Sequence, residues 1–349
     1  MKQQIRTQGL CVMLFVLLSA DLVIRPFSQR AGVRAQVYIP AAFLAGLFVL
    51  ALTTPLVRAM GQPMVREQLK ARWTNRYAAL PFAVLFAFGA ASAMMRGSIF
   101  LQYISDESTP KWIAAALMLA IAWYAMRCGV ETLLRVCGIL FWLLCVSLLL
   151  LLISNAQGMR VYHLSLQPFS PSEVFWAAAK GISVSAQIPL FLWFFASGTS
   201  RAEKGFAGTV FVVMVLAAVF SAVSEMVLGT QAQVQNQTVY ALSRLGRISV
   251  MQRLDALHCG IWMMMEITKV CAFGVGLRSA LQGFVPSHHK KHVCTVSLLV
   301  LAAVFLLSYG LQDLQRQWIE TGLSAAVLLL AAYQIQCQRR KNNESSKRV

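Results

Sequence analysis

The stretch RLDALHCGIWMMMEITKV, Arg253 to Val270, decides the fold, because it places charged residues within a run that is otherwise suited to hydrocarbon. Glu266 and Lys269 lie in its apolar part, and Asp255 lies near its start. A charge at the centre of a bilayer costs about 2.5–3.5 kcal/mol on insertion scales, so such residues face a bundle interior or a wet cavity. The stretch therefore predicts a membrane-spanning helix with one polar side.

The composition extends this interpretation to the whole chain. Of its 349 residues 58% are hydrophobic and 13% are charged, and the mean hydropathy is +0.63, whereas a soluble domain has about 25% charged residues. About 20 apolar residues cross a bilayer core as a helix. Ten such segments occur, at about 10–31, 36–58, 77–103, 111–127, 131–154, 172–197, 205–228, 252–279, 292–310 and 318–337. We expect an all-α polytopic membrane protein with ten transmembrane helices, a single transmembrane domain over residues 1–337 and a basic cytoplasmic tail over 338–349.

The net charge of +18 follows the membrane and does not indicate nucleic acid. With the N-terminus in the cytoplasm, nineteen Lys and Arg residues fall in inside segments and nine in outside segments, which agrees with the positive-inside rule. The basic patches at residues 65–76 and in the tail then face anionic lipid headgroups. No basic stretch belongs to a recognisable nucleic-acid-binding module, so we expect the lipid bilayer as partner and no nucleic acid.

Motifs for metal, cofactor or enzyme chemistry are not found. The eight cysteines are scattered singly without a CxxC pair, which is typical of apolar packing residues. The run HHKKH at residues 288–292 is interpreted as a basic membrane-facing turn and not as a metal site. The sequence contains no phosphate-binding loop, HExxH or nucleophile elbow. We therefore predict neither an enzyme nor a cofactor.

The polar residues of the opening stretch form one stripe. They step by four, three, four and three positions along a helix and so lie on one face: Asp255, Cys259, Trp262, Glu266 and Lys269. Glu266 and Lys269 are three residues apart, and we expect them to pair with each other. Two roles stay open for this pair: neutralising each other and fixing the rotation of the helix, or lining and gating a central site.

Two of the ten segments carry signs of interruption. In the first, Ser19 and Asp21 can bond backbone groups and Pro26 lacks an amide, so a break is expected there. The sixth, EVFWAAAKGISVSAQIPLFLWFF, contains Gly181, Ser183, Ser185, Gln187 and Pro189 near its centre. Breaks in the first and sixth of ten spans suggest two five-span repeats, over about 10–154 and 172–337, with a binding site at the breaks. Kinks in an ordinary bundle are the alternative.

At these residues the chain resembles a known family. The segments KGISVSAQIPLFL and TVYALSRLGRISVMQRLDALHCGIWMMMEITKVCAF are similar to the B subunit of spore germination receptors, the endospore germination permeases of the amino acid–polyamine–organocation superfamily. The most specific part is Arg253-Leu254-Asp255 followed by Trp262 and Lys269. Gly129, Glu131 and Arg135 in WYAMRCGVETLLRVCGILF support it, and the similarity covers most of the chain from about residue 77.

The resemblance implies a LeuT-like fold with a 5+5 inverted repeat and broken helices 1 and 6. It also implies a nutrient-sensing subunit in the inner membrane of an endospore, beside A-type and C-type subunits, with both termini on the cytoplasmic side. The ligand would be a small nutrient, commonly an amino acid. The implied pocket residues are Ser19, Ala20, Asp21, Arg96, Gly181, Ser183, Ser185, Gln187, Trp262 and Glu266, with Asp255, Glu266 and Lys269 as coupling or structural polar residues.

The first span departs from the superfamily pattern. It has no glycine between Gly9 and Gly32 and offers Ser19-Ala20-Asp21 where relatives place glycines. A free carboxylate needs bare amides and not an aspartate beside it, so Asp21 is expected to meet an ammonium group or a lysine from another span. A cation-coupled amino acid transporter and a membrane scaffold with a vestigial pocket are the competing functions.

Overall fold

The computed structural model of the chain describes residues 7–24, 34–73, 76–105, 109–164, 168–182, 187–196, 203–233, 237–246, 254–284 and 292–346. These residues form thirteen α-helices and no strand, so the all-α prediction is confirmed. The helices are α1 (Thr7–Ile24), α2 (Ala35–Met60), α3 (Pro63–Trp73), α4 (Arg76–Ile104), α5 (Lys111–Cys128), α6 (Val130–Asn155), α7 (Pro171–Ile182), α8 (Gln187–Phe195), α9 (Glu203–Leu228), α10 (Thr238–Leu245), α11 (Asp255–Leu281), α12 (Val293–Ser308) and α13 (Asp313–Ser346).

Seven of the described helices are long and apolar enough to cross a membrane: α2, α4, α5, α6, α9, α11 and α13. Two shorter apolar helices, Gln8–Val23 within α1 and Val293–Ser308, lie at two further predicted segments, and α7 and α8 share the sixth. The order of helices thus follows the order of the predicted segments. The count of ten crossings and the inverted repeat stay predictions.

The helices α4 and α11 form the centre of the bundle. Their most apolar windows are 72% and 78% buried, against 28–39% for the other five long helices. They pack on each other, and α1, α5, α6, α8, α12 and α13 each pack on one or both of them. Because a helix that is surrounded by protein can carry polar groups without exposing them to lipid, α4 and α11 are the helices on which a buried polar site can be built.

The first predicted break is wrong in position. The helix α1 runs without interruption through Ser19, Ala20 and Asp21 and ends at Ile24, and Pro26 lies outside the described residues. The Asp21 carboxylate bonds side chains of other helices, so it does not compete for the backbone of its own helix. The sixth span consists of two helices, α7 and α8, on either side of residues 183–186, which lie outside the described residues.

The structure adds two helices to segments that the sequence analysis left as connections, α3 and α10. One face of α3 buries Val65, Leu69 and Trp73 at a spacing of four, which is one stripe of a helix. The Trp73 ring stacks on Trp193 with the centroids 6.0 Å apart, and its Nε1 donates to Gln334 Oε1 at 2.6 Å. This connects α3 to α8 and to α13.

The junction between α5 and α6 depends on a glycine. Gly129 has φ 88° and ψ −178°, a region that is essentially restricted to glycine. It separates Cys128, the last residue of α5, from Val130, the first of α6. Glu131 and Arg135, which together with Gly129 support the family resemblance, form an exposed ion pair at 3.1 Å on the first turns of α6.

Candidate functional site

A group of buried ionisable side chains lies where α1, α4, α11 and α13 meet. Within the described part of the chain it consists of Asp21, Arg96, Glu266, Lys269 and Glu320, each 5% exposed or less. We refer to these five residues as the ionic cluster. Their helices are brought together by apolar packing around them, which includes Trp262 and Phe273, both fully buried on α11.

Arg96 of α4 is the hub of the ionic cluster. Its Nη1 lies 3.2 Å from Glu320 Oε2 and donates to Ser92 Oγ at 2.8 Å. Its Nε lies 3.4 Å from Glu266 Oε1, and its Nη2 lies 3.6 Å from Asp21 Oδ1. A guanidinium has five N–H groups in a planar fork, so one side chain can serve carboxylates of three different helices.

Asp21 of α1 contacts two further side chains besides Arg96, one from α8 and one from α11. Lys269 Nζ donates to Asp21 Oδ1, and Gln187 Nε2, at the start of α8, donates to Asp21 Oδ2. Of the two partners expected for Asp21, the lysine from another span is therefore confirmed. Asp21 therefore joins α1 to α8, which follows the predicted break of the sixth span, and to α11, which lies at the predicted eighth span.

The predicted pairing of Glu266 with Lys269 is wrong. No ion pair within 4 Å joins these two described residues, and each contacts a different helix: Glu266 contacts Arg96 of α4, and Lys269 contacts Asp21 of α1. Both lie on the same face of α11, but their side chains contact residues of different helices. The spacing identified the face and not the partners, because tertiary contacts compete with i, i+3 contacts on the helix surface.

Among the described residues, the ionic cluster has more carboxylates than cationic side chains. Counted over the described residues, three carboxylates face one guanidinium and one ammonium, which leaves a formal charge of −1 when all are ionised. Two acceptors of the site lack donors as well: Gln187 Oε1, on the side chain that contacts Asp21, and Glu266 Oε2 find no hydrogen-bond partner in the described part of the chain. Ser19 Oγ also has no partner there, but Ser19 lies two residues before Asp21 and therefore on another side of α1. Buried polar atoms in proteins are normally paired. The site can therefore accept a positive charge and further donors.

Other predicted pocket residues lie beside the ionic cluster or away from it. Ala20 packs into an apolar cluster, and Gly181 of α7 approaches α2, where an added Cβ would stand 3.0 Å from Ala45 Cβ. Asp255 is the first residue of α11, about 16 Å along the helix from Glu266, which is too far for it to join the ionic cluster. Ser183 and Ser185 lie outside the described residues.

Trp262 forms an aromatic layer next to the ionic cluster. It lies one turn before Glu266, and its ring stands 6.4 Å from Phe100, which in turn contacts Tyr240 of α10 at 6.2 Å. The Trp262 Nε1 donor has no partner among the described residues. Ring contacts therefore lead from Trp262 of α11 through Phe100 of α4 to Tyr240 of α10.

Three polar residues of this region were missed by the sequence analysis. Glu320 was placed at the edge of the last span, but α13 begins at Asp313, which puts Glu320 two turns inside the helix. Ser92 lies one turn before Arg96 and bonds both Arg96 and Glu320, and the i, i+4 spacing to a buried arginine was the available signal. His258 is fully buried and shares a 2.7 Å hydrogen bond with Ser147 of α6.

The comparisons with known proteins agree with a transporter-like membrane fold. The family model described as spore germination protein matches residues 37–316. Two structures of the Eremococcus coleocola manganese transporter are similar at 13% identity over 93% of this chain and 76% of theirs. The structure of a mutant of that transporter has a TM-score of 0.51, and its complex with an aromatic bis-isothiourea compound has a TM-score of 0.53.

The comparison with curated proteins gives no match. At 13% identity the structural similarity shows the fold alone. Among the described residues of this chain, no group of three or more His, Cys, Asp or Glu side chains is placed to hold a metal ion.

Proposed function

The chain belongs to the spore germination protein family, and from this premise we propose that it is the nutrient-sensing membrane subunit of a spore germination receptor. It is an integral membrane protein of a permease-like family and not of an enzyme family. In the proposal it lies in the inner membrane of a bacterial endospore with both termini on the cytoplasmic side. A small nutrient, an amino acid, binds at mid-membrane depth, and A-type and C-type subunits carry the signal onward.

The observation that supports the proposal is the ionic cluster, which among the described residues has one more carboxylate than cationic side chains and has unpartnered acceptors at Gln187 and Glu266. A cluster that served packing alone would be expected to balance its charges, since an unpaired buried charge costs several kcal/mol. Here Gln187 and Glu266 each present an oxygen without a hydrogen-bond partner among the described residues. Such a buried, charged and incompletely paired group is suited to bind a small polar ligand.

The same geometry provides a route from ligand to signal. Asp21, Arg96 and Glu320 lie on α1, α4 and α13, which are joined through the side chains of the ionic cluster. A ligand that binds one arrangement of these contacts better than another shifts the population of helix arrangements. Because the contacts cross between helices, a change at the ionic cluster alters how α1 and α13 pack on α4 and α11, and that packing is what a partner subunit would detect.

A cation-coupled amino acid transporter is the second candidate. It is favoured by the similarity to manganese transporter structures over 93% of the chain. The two candidates differ in flux: a sensor binds ligand with little net movement, whereas a transporter accumulates it against a gradient.

Germination of spores that lack only this gene tests the proposal. Spores of the deletion strain are exposed to single amino acids, sugars and nucleosides and scored for loss of refractility, with a receptor-independent trigger as control. The sensor function predicts loss of the response to one nutrient class while the control trigger still works. An unchanged response in a strain without a redundant receptor, together with uptake of labelled amino acid by proteoliposomes of the purified protein, would support the transporter instead.

A further inference from the structure

The two carboxylate oxygens of Asp21 are both occupied by groups of the protein itself. Lys269 Nζ, on a side chain that is fully buried, contacts Oδ1, and Gln187 contacts Oδ2. An ammonium group on an aspartate at the junction of α1, α8 and α11 is the kind of contact that a nutrient with an amino group would make there. In this structure Lys269 supplies that ammonium group from within the chain.

A second acceptor for Lys269 lies one turn away on the same helix. Glu266 precedes it by three residues, and side chains at this spacing are neighbours on a helix surface. Glu266 Oε1 faces Arg96 at 3.4 Å, whereas Glu266 Oε2 has no hydrogen-bond partner in the described part of the chain. The lysine can therefore leave Asp21 without becoming an unpaired buried charge.

We propose that Lys269 is a built-in occupant of an ammonium subsite on Asp21, and that the ammonium group of the nutrient displaces it onto Glu266. The proposal rests on the proposed function, which supplies the nutrient, and it adds the chemical class of the ligand and the group that the ligand displaces. The charge agrees: an added ammonium changes the formal charge of the ionic cluster from −1 to zero while every carboxylate keeps a cationic neighbour.

The displacement also links binding to movement between helices. Before it, Lys269 connects α11 to α1 through Asp21; after it, Lys269 contacts only a residue of α11, and the ligand contacts Asp21. The direct ionic connection between α1 and α11 is then replaced by one through the ligand. The arrangement of α1 against α11 thus comes to depend on the size of the ligand.

The test uses the full-length protein in lipid nanodiscs and methylammonium chloride as the probe. The variant Lys269→Met removes the occupant and leaves Asp21 for the probe. Thermal unfolding is followed with a thiol-reactive dye, which reports exposure of the buried Cys137, Cys259 and Cys271. We expect the methylammonium concentration that gives half of the maximal stabilisation to be at least tenfold lower for Lys269→Met than for the natural protein.

Matched variants make the result specific. Lys204→Met changes an exposed lysine near the start of α9 and is expected to respond to methylammonium as the natural protein does. Combining Asp21→Asn with Lys269→Met removes the acceptor together with the occupant and is expected to abolish the response. If Lys269→Met does not fold, Lys269→Gln, which removes the positive charge and keeps a neutral donor for Asp21, takes its place; its shift is expected in the same direction and smaller.

Three outcomes would overturn the proposal. The first is an equal methylammonium requirement in the natural protein and in the Lys269 variant. The second is stabilisation of the variant by sodium or potassium chloride as strong as by methylammonium, which would identify a site for an inorganic cation. The third is a response that persists with Asp21→Asn. If deletion of the gene abolishes a nutrient response but the Lys269 variants do not respond to methylammonium, the sensor function stands and this inference fails. If the deletion leaves germination unaffected but a Lys269 variant binds methylammonium, the ammonium subsite stands and the sensor function fails.

Discussion

Replacing Arg96 with glutamine removes the hub of the ionic cluster and is predicted to destabilise the protein strongly. The change takes away contacts to Asp21, Glu266 and Glu320 at 3.6, 3.4 and 3.2 Å. It also changes the formal charge of the cluster from −1 to −2, with Lys269 facing three buried carboxylates. Removing one member of a buried ion pair costs about 3–5 kcal/mol, because the remaining charge is left uncompensated. We expect Arg96→Gln to lower the free energy of unfolding by about that amount.

The measurement is the free energy of unfolding in mixed micelles with increasing SDS, followed by circular dichroism. The matched control is Arg135→Gln, an Arg-to-Gln change at an ion pair whose side chains are 78% and 52% exposed. Exposed pairs contribute about 0–1 kcal/mol, so the control is expected to differ little from the natural protein. Glu320→Gln provides the test of sign: it brings the cluster from −1 to zero, and its cost is expected to be less than half that of Arg96→Gln.

Two results would refute this reasoning. If Arg96→Gln costs no more than Arg135→Gln, the contacts of Arg96 are not formed in the folded protein. If Glu320→Gln costs more than Arg96→Gln, the surplus negative charge is not present, and Glu320 is needed as a partner for its charge.

Two further changes have a defined outcome with a matched control. Gly129→Ala forces a side chain onto a backbone with φ 88° and is expected to lower the free energy of unfolding by about 1–3 kcal/mol. The control is Gly138→Ala, at a helical position with open space around it, which is expected to be neutral or to stabilise by up to about 1 kcal/mol. Equal effects of the two changes in the same unfolding assay would contradict the backbone argument. Ser147→Ala leaves the Nδ1 of the buried His258 without its 2.7 Å partner and is expected to lower the free energy of unfolding by about 1–3 kcal/mol. This cost should exceed that of Ser297→Ala, where the lost bond is to the carbonyl of the preceding helix turn. A larger cost for Ser297→Ala would show that the His258 contact does not stabilise the fold.

The sequence was informative where burial in lipid or protein dictates residue type. Apolar length placed the long helices. The cost of intramembrane charge identified Glu266 and Lys269 as residues that face the interior, and the family resemblance added Arg96; all three are 5% exposed or less. The departure of the first span from its relatives led to the expectation that Asp21 meets a lysine of another span, and Lys269 is that lysine.

The sequence was uninformative where the answer depends on which helices are neighbours. The spacing of Glu266 and Lys269 is compatible with a pair, but their partners come from α4 and α1, and no local pattern encodes that choice. Glu320 was missed because it lies at the N-terminal edge of the apolar run, where an acidic residue is typical of a membrane boundary. The helix α13 starts before that run, at Asp313. The break expected at Asp21 assumed a local backbone bond, and a tertiary contact replaced it.

The most direct test of the account is the nutrient dose response of spores that carry Glu266→Gln in place of the natural residue. This change keeps the size of the side chain, removes one charge of the ionic cluster and replaces the anionic acceptor proposed for Lys269 with a neutral amide. Glu131→Gln, at an exposed position on α6, is the control, and immunoblots establish equal amounts of protein. We predict that the nutrient concentration for half-maximal germination rises at least tenfold for Glu266→Gln and is unchanged for Glu131→Gln. An unchanged dose response for Glu266→Gln at equal protein level would mean that the ionic cluster holds helices together and takes no part in sensing.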